Sequence, residues 1–385
     1  MTGSLNSPAT IARQGGRAVL TTALQDSRAR TLALQEAYVA ALGEALVVPY
    51  STQLNPPLWE AGHIGWFQDY WITRNRQRDL GSAGDPDHAR PPGRMANADV
   101  LYNSSDVEHA SRWQLPLPDL AATRAYLAAG LDETLTLLAA APETDAGLYF
   151  YRLVLFHEDM HAEAATYMAQ ALEIPLPAGL FAEAPALPEN QALALPAQTW
   201  TLGYVEPGFA FDNELAAHPV EVASFEIDSQ AVSWRRYLAA VEAGVVAAPR
   251  YLRQLDGVWQ MRCFGVWRNL NLDQPAVHLT WHEAEAWCRW AGRRLPSEAE
   301  WELAALTRPE FNWGSVWEWT ASRFLPYPGF VAHAYRDYSA PWFGDRYVLR
   351  GASSATAPRM AHPRYRNFFP PERNDVHTGF RTCAT

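Results

Sequence analysis

The chain has 385 residues, of which 48% are hydrophobic and 19% charged, enough to bury a full core and to form two domains of ordinary size. Its net charge of −11 argues against nucleic acid and anionic membrane as partners. No apolar run is long enough to span a bilayer, residues 1–30 carry scattered arginines with no apolar signal core, and three cysteines (Cys263, Cys288, Cys383) fit a reducing cytoplasm without a disulfide framework.

Residues 17–45 predict a long amphipathic helix, and residues 56–79 a second, opened by Pro56 and Pro57. Residues 80–118, with "DPDHARPPGR" and "LPLP", predict loop. A third helix is expected over 119–141 with Asp119 as its cap, and a fourth over 146–173. Four helices with long connections make a bundle. Residues 174–198 are rich in Pro and Ala and read as an extended linker. Beyond them "TWTLGY", "FEIDSQAVS" and "RYVLRGAS" predict short strands and "TWHEAEAWCRWAG" a helix. The expected division is an α+β chain: bundle 1–175, linker 176–198, irregular α+β domain 199–385.

Chemistry concentrates in the bundle. In the fourth helix His157 and His161 stand four apart, on one face, at a spacing that suits two ligands to one metal ion. With Glu158 they also match the zinc-peptidase pattern H-E-x-x-H, but no further ligand of that pattern follows. The second helix supplies His63 amid Trp59, Trp66, Phe67 and Trp71, either a third ligand or a core histidine bonded to a backbone carbonyl. Three imidazoles suit zinc, iron, copper or nickel and leave open positions for further ligands.

The segments "NPPLWEAGHIGWFQDYW" and "HEDMHAEA" resemble the DinB-like bundle of the ergothioneine-pathway sulfoxide synthases. "RLPSEAEWELAAL", "VWEWTAS", "YVLRGAS" and "GFRTC" resemble their second domain, of the formylglycine-generating-enzyme type within the C-type lectin fold. The resemblance implies a mononuclear non-haem Fe(II) on His63, His157 and His161. It implies that O2, a donor and hercynine (N-alpha-trimethylhistidine) react to give a carbon–chalcogen bond and an oxidised chalcogen. It also places a catalytic tyrosine at Tyr335 or Tyr338, with Tyr335 favoured, and substrate contacts at Asn367, Arg373 and Arg112.

Departures from that pattern bear on the donor. Phe369 stands where users of gamma-glutamylcysteine carry an aspartate, and Met160 where they carry a glutamine. The bundle loop reads Ser104-Ser105-Asp106, which suits a polyol better than an amino acid. These features resemble the selenoneine synthase branch and imply a selenosugar donor, with cysteine or gamma-glutamylcysteine as alternatives. A reading of another class is a non-catalytic metal- or ligand-binding module. Trp317, Trp319, Phe330 and Cys288 are expected in the core, and Arg350 and Arg381 in structural roles.

Overall fold

The computed structural model describes residues 7–385. A short helix α1 (Pro8–Gln14) precedes α2 (Arg17–Leu42) and α3 (Pro57–Gln68). A long crossover carrying the one-turn helix α4 (Ala98–Tyr102) leads to α5 (Leu120–Ala140) and α6 (Asp145–Ala171). Helices α2, α3, α5 and α6 form the bundle. Asp119 accepts from the Ala122 N–H at 2.8 Å and Thr144 from the Gly147 N–H at 3.1 Å, so α5 and α6 start on side-chain caps. In α2 the buried stripe Leu20, Leu24, Ser27, Thr31, Leu34, Tyr38 follows the helical repeat.

The first helix ends at Leu42, three residues before the expected 45, and two further boundaries differ more. The second helix does not run unbroken to residue 79: at Asp69–Thr73 it widens into a π turn, and after a short break a 3-10 helix spans Arg78–Ala83. The expected linker is also shorter, because β1 (Ala192–Leu195) lies within it. The alternating "ALAL" buries Leu193 and Leu195 against a neighbouring strand, a period-2 signal hidden in an Ala- and Pro-rich composition.

After β1 come β2 (Gln198–Leu202), β3 (His218–Val222), β4 (Phe225–Asp228), α7 (Trp234–Glu242) and the meander β5 (Leu252–Leu255), β6 (Val258–Cys263), β7 (Val266–Asn269). Then follow α8 (Trp281–Trp290), β8 (Arg293–Arg294), α9 (Glu298–Thr307), β9 (Trp317–Arg323), β10 (Tyr347–Gly351), β11 (Asn367–Phe369), β12 (Thr378–Phe380) and β13 (Cys383–Ala384). Two four-stranded sheets result, in the orders β1-β4-β13-β8 and β11-β10-β9-β12; only β12 runs parallel to its partner, β9.

The "RLPSEAEWE" segment opens α9 with a capping box, Ser297 against Glu300. Its glutamates then hold buried arginines. Glu298 takes Arg350 at 2.9 Å and Arg366 at 2.9 Å; Glu302 takes Arg364 at 2.9 Å. Arg381 donates to Glu318 at 2.7 Å. Arg350 and Arg381 are therefore framework residues. Trp319 is core, its indole N–H on the Leu279 carbonyl at 2.8 Å. The three cysteines are buried and free. Among the described residues no helix is long and apolar enough to cross a membrane.

The two domains are tied directly. Arg13 pairs with Glu214 at 2.9 Å, fully buried, and the partly buried Arg359 pairs with the buried Asp159 at 2.7 Å. This joint positions one wall of the cleft against the other.

Candidate metal centre and substrate cleft

His63 on α3 and His157 and His161 on α6 converge at the domain joint. The Nε2 atoms of His63 and His161 each lie 3.2 Å from Nε2 of His157. Among the described residues this is the only group of three or more His, Cys, Asp or Glu side chains close enough to share a metal ion.

Outer partners fix the ring orientations. His63 Nδ1 lies 2.8 Å from the Tyr102 carbonyl oxygen, so it carries the proton and leaves the Nε2 lone pair facing the centre. His161 Nδ1 donates to the Glu60 carboxylate, with the same consequence for its Nε2. One nitrogen of His63 thus satisfies a backbone carbonyl and the other faces the site. Burial first, then the neighbouring histidine, pushes His63 down to about 3, and burial pushes His157 well below the usual imidazole range. Burial alone would raise Glu60, yet His161, His63 and Asn55 hold its carboxyl down at about 2. Lone pairs facing one another without intervening protons repel unless a cation lies between them. The donor set therefore fits a divalent metal.

Close packing leaves the rings little freedom. Phe67 stacks on His157 with centroids 3.5 Å apart and planes 4° apart, and Trp59 stacks on His63 at 4.9 Å. A Cβ at Gly62, next to His63, would run into the Tyr102 ring, so only glycine lets α4 bring the Tyr102 carbonyl to His63. Glu158 cannot act in the cleft: it is buried on the far side, paired with Arg28 at 2.7 Å. That removes the base a peptidase reading requires.

A cleft of about 1820 Å³, counted to its open mouth, lies between the bundle and the second domain, with His157 and His161 in its wall. Of the residues singled out in the sequence, Ser104, Ser105, Arg112, Tyr335, Asn367 and Phe369 line it. Tyr335 packs edge-on against Phe67 at 4.9 Å and near His157 at 6.1 Å. Burial, then Asp337, raises its pKa above the ordinary phenol range, so the hydroxyl stays protonated. Tyr338 also reaches the lining, but its hydroxyl is engaged with Tyr365 at 2.8 Å and its ring stacks on Phe211.

Two of the expected contacts lie outside the lining. Asp106 is turned to the Asn103 amide at 2.6 Å. Arg373 is paired with Asp375 at 2.8 Å, donates to the Gln53 carbonyl, and lies over the Tyr167 ring. Arg112 lines the cleft but also donates to Asn55 at 2.8 Å and covers the outer face of Trp59 at 3.9 Å.

The sequence also left contributors unnoticed. Trp317, expected in the core, is buried yet lines the cleft and donates to Glu163 at 2.7 Å. Ser353 and Thr356 donate to the same Glu163 oxygen at 2.9 Å each, so the second domain fixes a bundle carboxylate in the cleft wall. Glu60 was visible in principle, three residues before His63 on one helix face; Glu163, two past His161, needed the second domain to give it meaning.

The chain matches the DinB superfamily over residues 23–169 and the sulfatase-modifying factor enzyme 1-like domain over 177–315 and 312–385. It is 33% identical to a hercynine oxygenase of Mycolicibacterium smegmatis, covering 95% of this chain and 98% of that protein. A hercynine oxygenase of Mycobacterium tuberculosis is 30% identical, covering 93% of this chain and 96% of that protein. A formylglycine-generating enzyme of Streptomyces coelicolor is 34% identical over 28% of this chain and 45% of its own length.

Proposed function

The chain belongs to the hercynine oxygenase family, and from that premise we propose that it is an iron-dependent oxidoreductase joining hercynine to a chalcogen donor with O2, the donor being a selenosugar. The observation that carries the metal assignment is the convergence of three Nε2 atoms, with the tautomers of His63 and His161 set by Tyr102 and Glu60. A ferrous ion bound there supplies open positions for O2 and the donor, together with one-electron chemistry.

The chain's own residues do the rest. Phe67, Trp59, Tyr102 and Glu60 hold the three imidazoles in place, so little reorganisation is needed on binding. The hercynine imidazole must come close to the donor atom, so much of the rate comes from positioning. For the quaternary ammonium the cleft offers aromatic faces at Trp317, Phe368 and Phe369 and the carboxylate of Glu163. The Tyr335 hydroxyl, protonated and facing the cleft, donates a proton to the oxygen being reduced.

Three features support the selenosugar. Phe369, unlike an aspartate at that position, offers no ionic partner of its own to an amino-acid ammonium. Ser104 and Ser105 place hydroxyls at the cleft for a polyol, that of Ser105 already donating to Asp337. Arg112 provides guanidinium donors suited to sugar hydroxyls. The test is anaerobic Fe(II) loading, then O2 with hercynine and a competing panel of 1-selenosugar, 1-thiosugar, cysteine and gamma-glutamylcysteine, read by mass spectrometry. A hercynine–selenosugar selenoxide as main product is expected. Cysteine or gamma-glutamylcysteine winning by an order of magnitude would assign sulfur chemistry instead. Iron binding with no O2 consumption would leave a binding module.

A further inference from the structure

The helix that carries His63 also carries a stack of oxidisable rings leading away from the cleft. Trp66 lies against His63 with centroids 5.7 Å apart and planes 28° apart, and Tyr70 lies 5.2 Å beyond Trp66. Tyr70 stands on the π turn and is partly exposed. The Trp66 indole N–H donates to Asp99 Oδ1 at 2.7 Å, and Arg74 holds that carboxylate at 2.6 and 2.9 Å. The Asp99 side chain is 53% exposed, so a proton taken from Trp66 can pass to water. A polar cavity of about 750 Å³ opens beside Trp66 and Tyr70, where solutes can reach them.

The other rings stacked on His63 and His157 are insulated. Behind His157 stands Phe67, which has no accessible oxidation step. Behind the other face of His63 stands Trp59, but the Arg112 cation covers it at 3.9 Å and opposes positive charge on that ring. Of the rings stacked on His63 and His157, Trp66 alone couples an oxidisable face to a proton acceptor.

We infer that Trp66 and Tyr70 form an escape path for oxidising equivalents, used when O2 is reduced at the metal with no hercynine in the cleft. The inference rests on the iron and O2 reading above. Trp66 gives one electron through His63 to the oxidised centre and its Nε1 proton to Asp99. Tyr70 then gives one electron to the indolyl radical and its phenol proton to water, while Asp99 returns its proton to Nε1. The neutral tyrosyl that results avoids placing a cation under Arg90, whose guanidinium lies 4.0 Å over the Tyr70 ring. A solution thiol supplies one electron and one proton to restore Tyr70, and two thiyl radicals pair as a disulfide.

The experiment exposes the Fe(II)-loaded chain to O2 without hercynine or thiol and maps oxidised residues by peptide mass spectrometry, with metal-free protein as control. Oxygen adducts are expected at Trp66 and Tyr70, several-fold above those at Tyr50, which is 56% exposed, and Trp342, which is 39% exposed. Trp66→Phe should move the adducts to cleft residues such as Met160 and Tyr335 and shorten the enzyme's life under uncoupled conditions. Tyr70→Phe, nearer the surface and less able to disturb folding, should leave coupled turnover with hercynine unchanged and build up adducts at Trp66. Adducts that follow solvent exposure, or a pattern unaltered in both variants, would overturn the path while leaving the oxygenase reading intact. A chain that binds iron but consumes no O2 would instead remove the oxygenase reading, and the path with it.

Discussion

The two walls of the cleft are built by different means. The bundle wall holds His157 and His161 one helical turn apart on α6 and His63 across from them on α3, with His63 and His161 oriented by hydrogen bonds and His157 by its stack on Phe67. The second-domain wall presents Tyr335, Asn367, Phe369 and Trp317 from loops and short strands, held by arginine–glutamate pairs buried within that domain. Helical periodicity places the metal half with local information. The substrate half depends on contacts between residues distant in sequence. A perturbation of the first should therefore remove the metal and spare the fold; one of the second should reach the fold before the chemistry.

The sharpest break comes from the triad. His63→Ala, His157→Ala or His161→Ala should abolish stoichiometric iron binding and O2 consumption while the circular dichroism spectrum is kept; iron content unchanged in all three would refute the centre. The converse break is Glu298→Ala in the second domain, which strands Arg366 without its carboxylate and leaves Arg350 with Glu302 alone. A loss of about 3–5 kcal/mol in folding stability is expected, measured by chemical denaturation.

Finer changes sharpen the contrast. Glu60→Gln keeps the shape but weakens the acceptor for His161 Nδ1, and should reduce Fe(II) affinity by about 10–100-fold in anaerobic titration. Tyr335→Phe should slow product formation by about a hundredfold with hercynine affinity nearly unchanged. Tyr338→Phe loses the Tyr365 hydrogen bond, costing about 1 kcal/mol of stability with little effect on the chemistry. Equal kinetic losses in both would move the proton donor to the Tyr338–Tyr365 pair. Asp106→Ala, whose carboxylate is turned to Asn103, should change donor selectivity least of all.

The same division governs what the sequence disclosed. The i, i+4 spacing of His157 and His161 and the aromatic setting of His63 pointed to one site, because a helix converts spacing directly into direction. Residues 80–118 gave no such conversion: Ser104, Ser105 and Asp106 are adjacent in sequence, yet only the first two reach the cleft. Arg373 looked available in "PPERND", and only folding shows Asp375 claiming its guanidinium. Trp317 reads as core by composition, and its indole does lie buried; its partner Glu163 belongs to the other domain, so no local pattern could place it at the cleft. The π turn after Gln68 likewise left no trace in a sequence that reads as unbroken helix.

The most direct test of the central claim is anomalous diffraction at the iron edge from crystals loaded anaerobically with Fe(II) and hercynine. A single peak is predicted between the three Nε2 atoms of His63, His157 and His161, with the hercynine imidazole beside it and the Tyr335 hydroxyl facing the open side. A peak elsewhere, or one ligated by Glu60 or Glu158 in place of a histidine, would contradict the account.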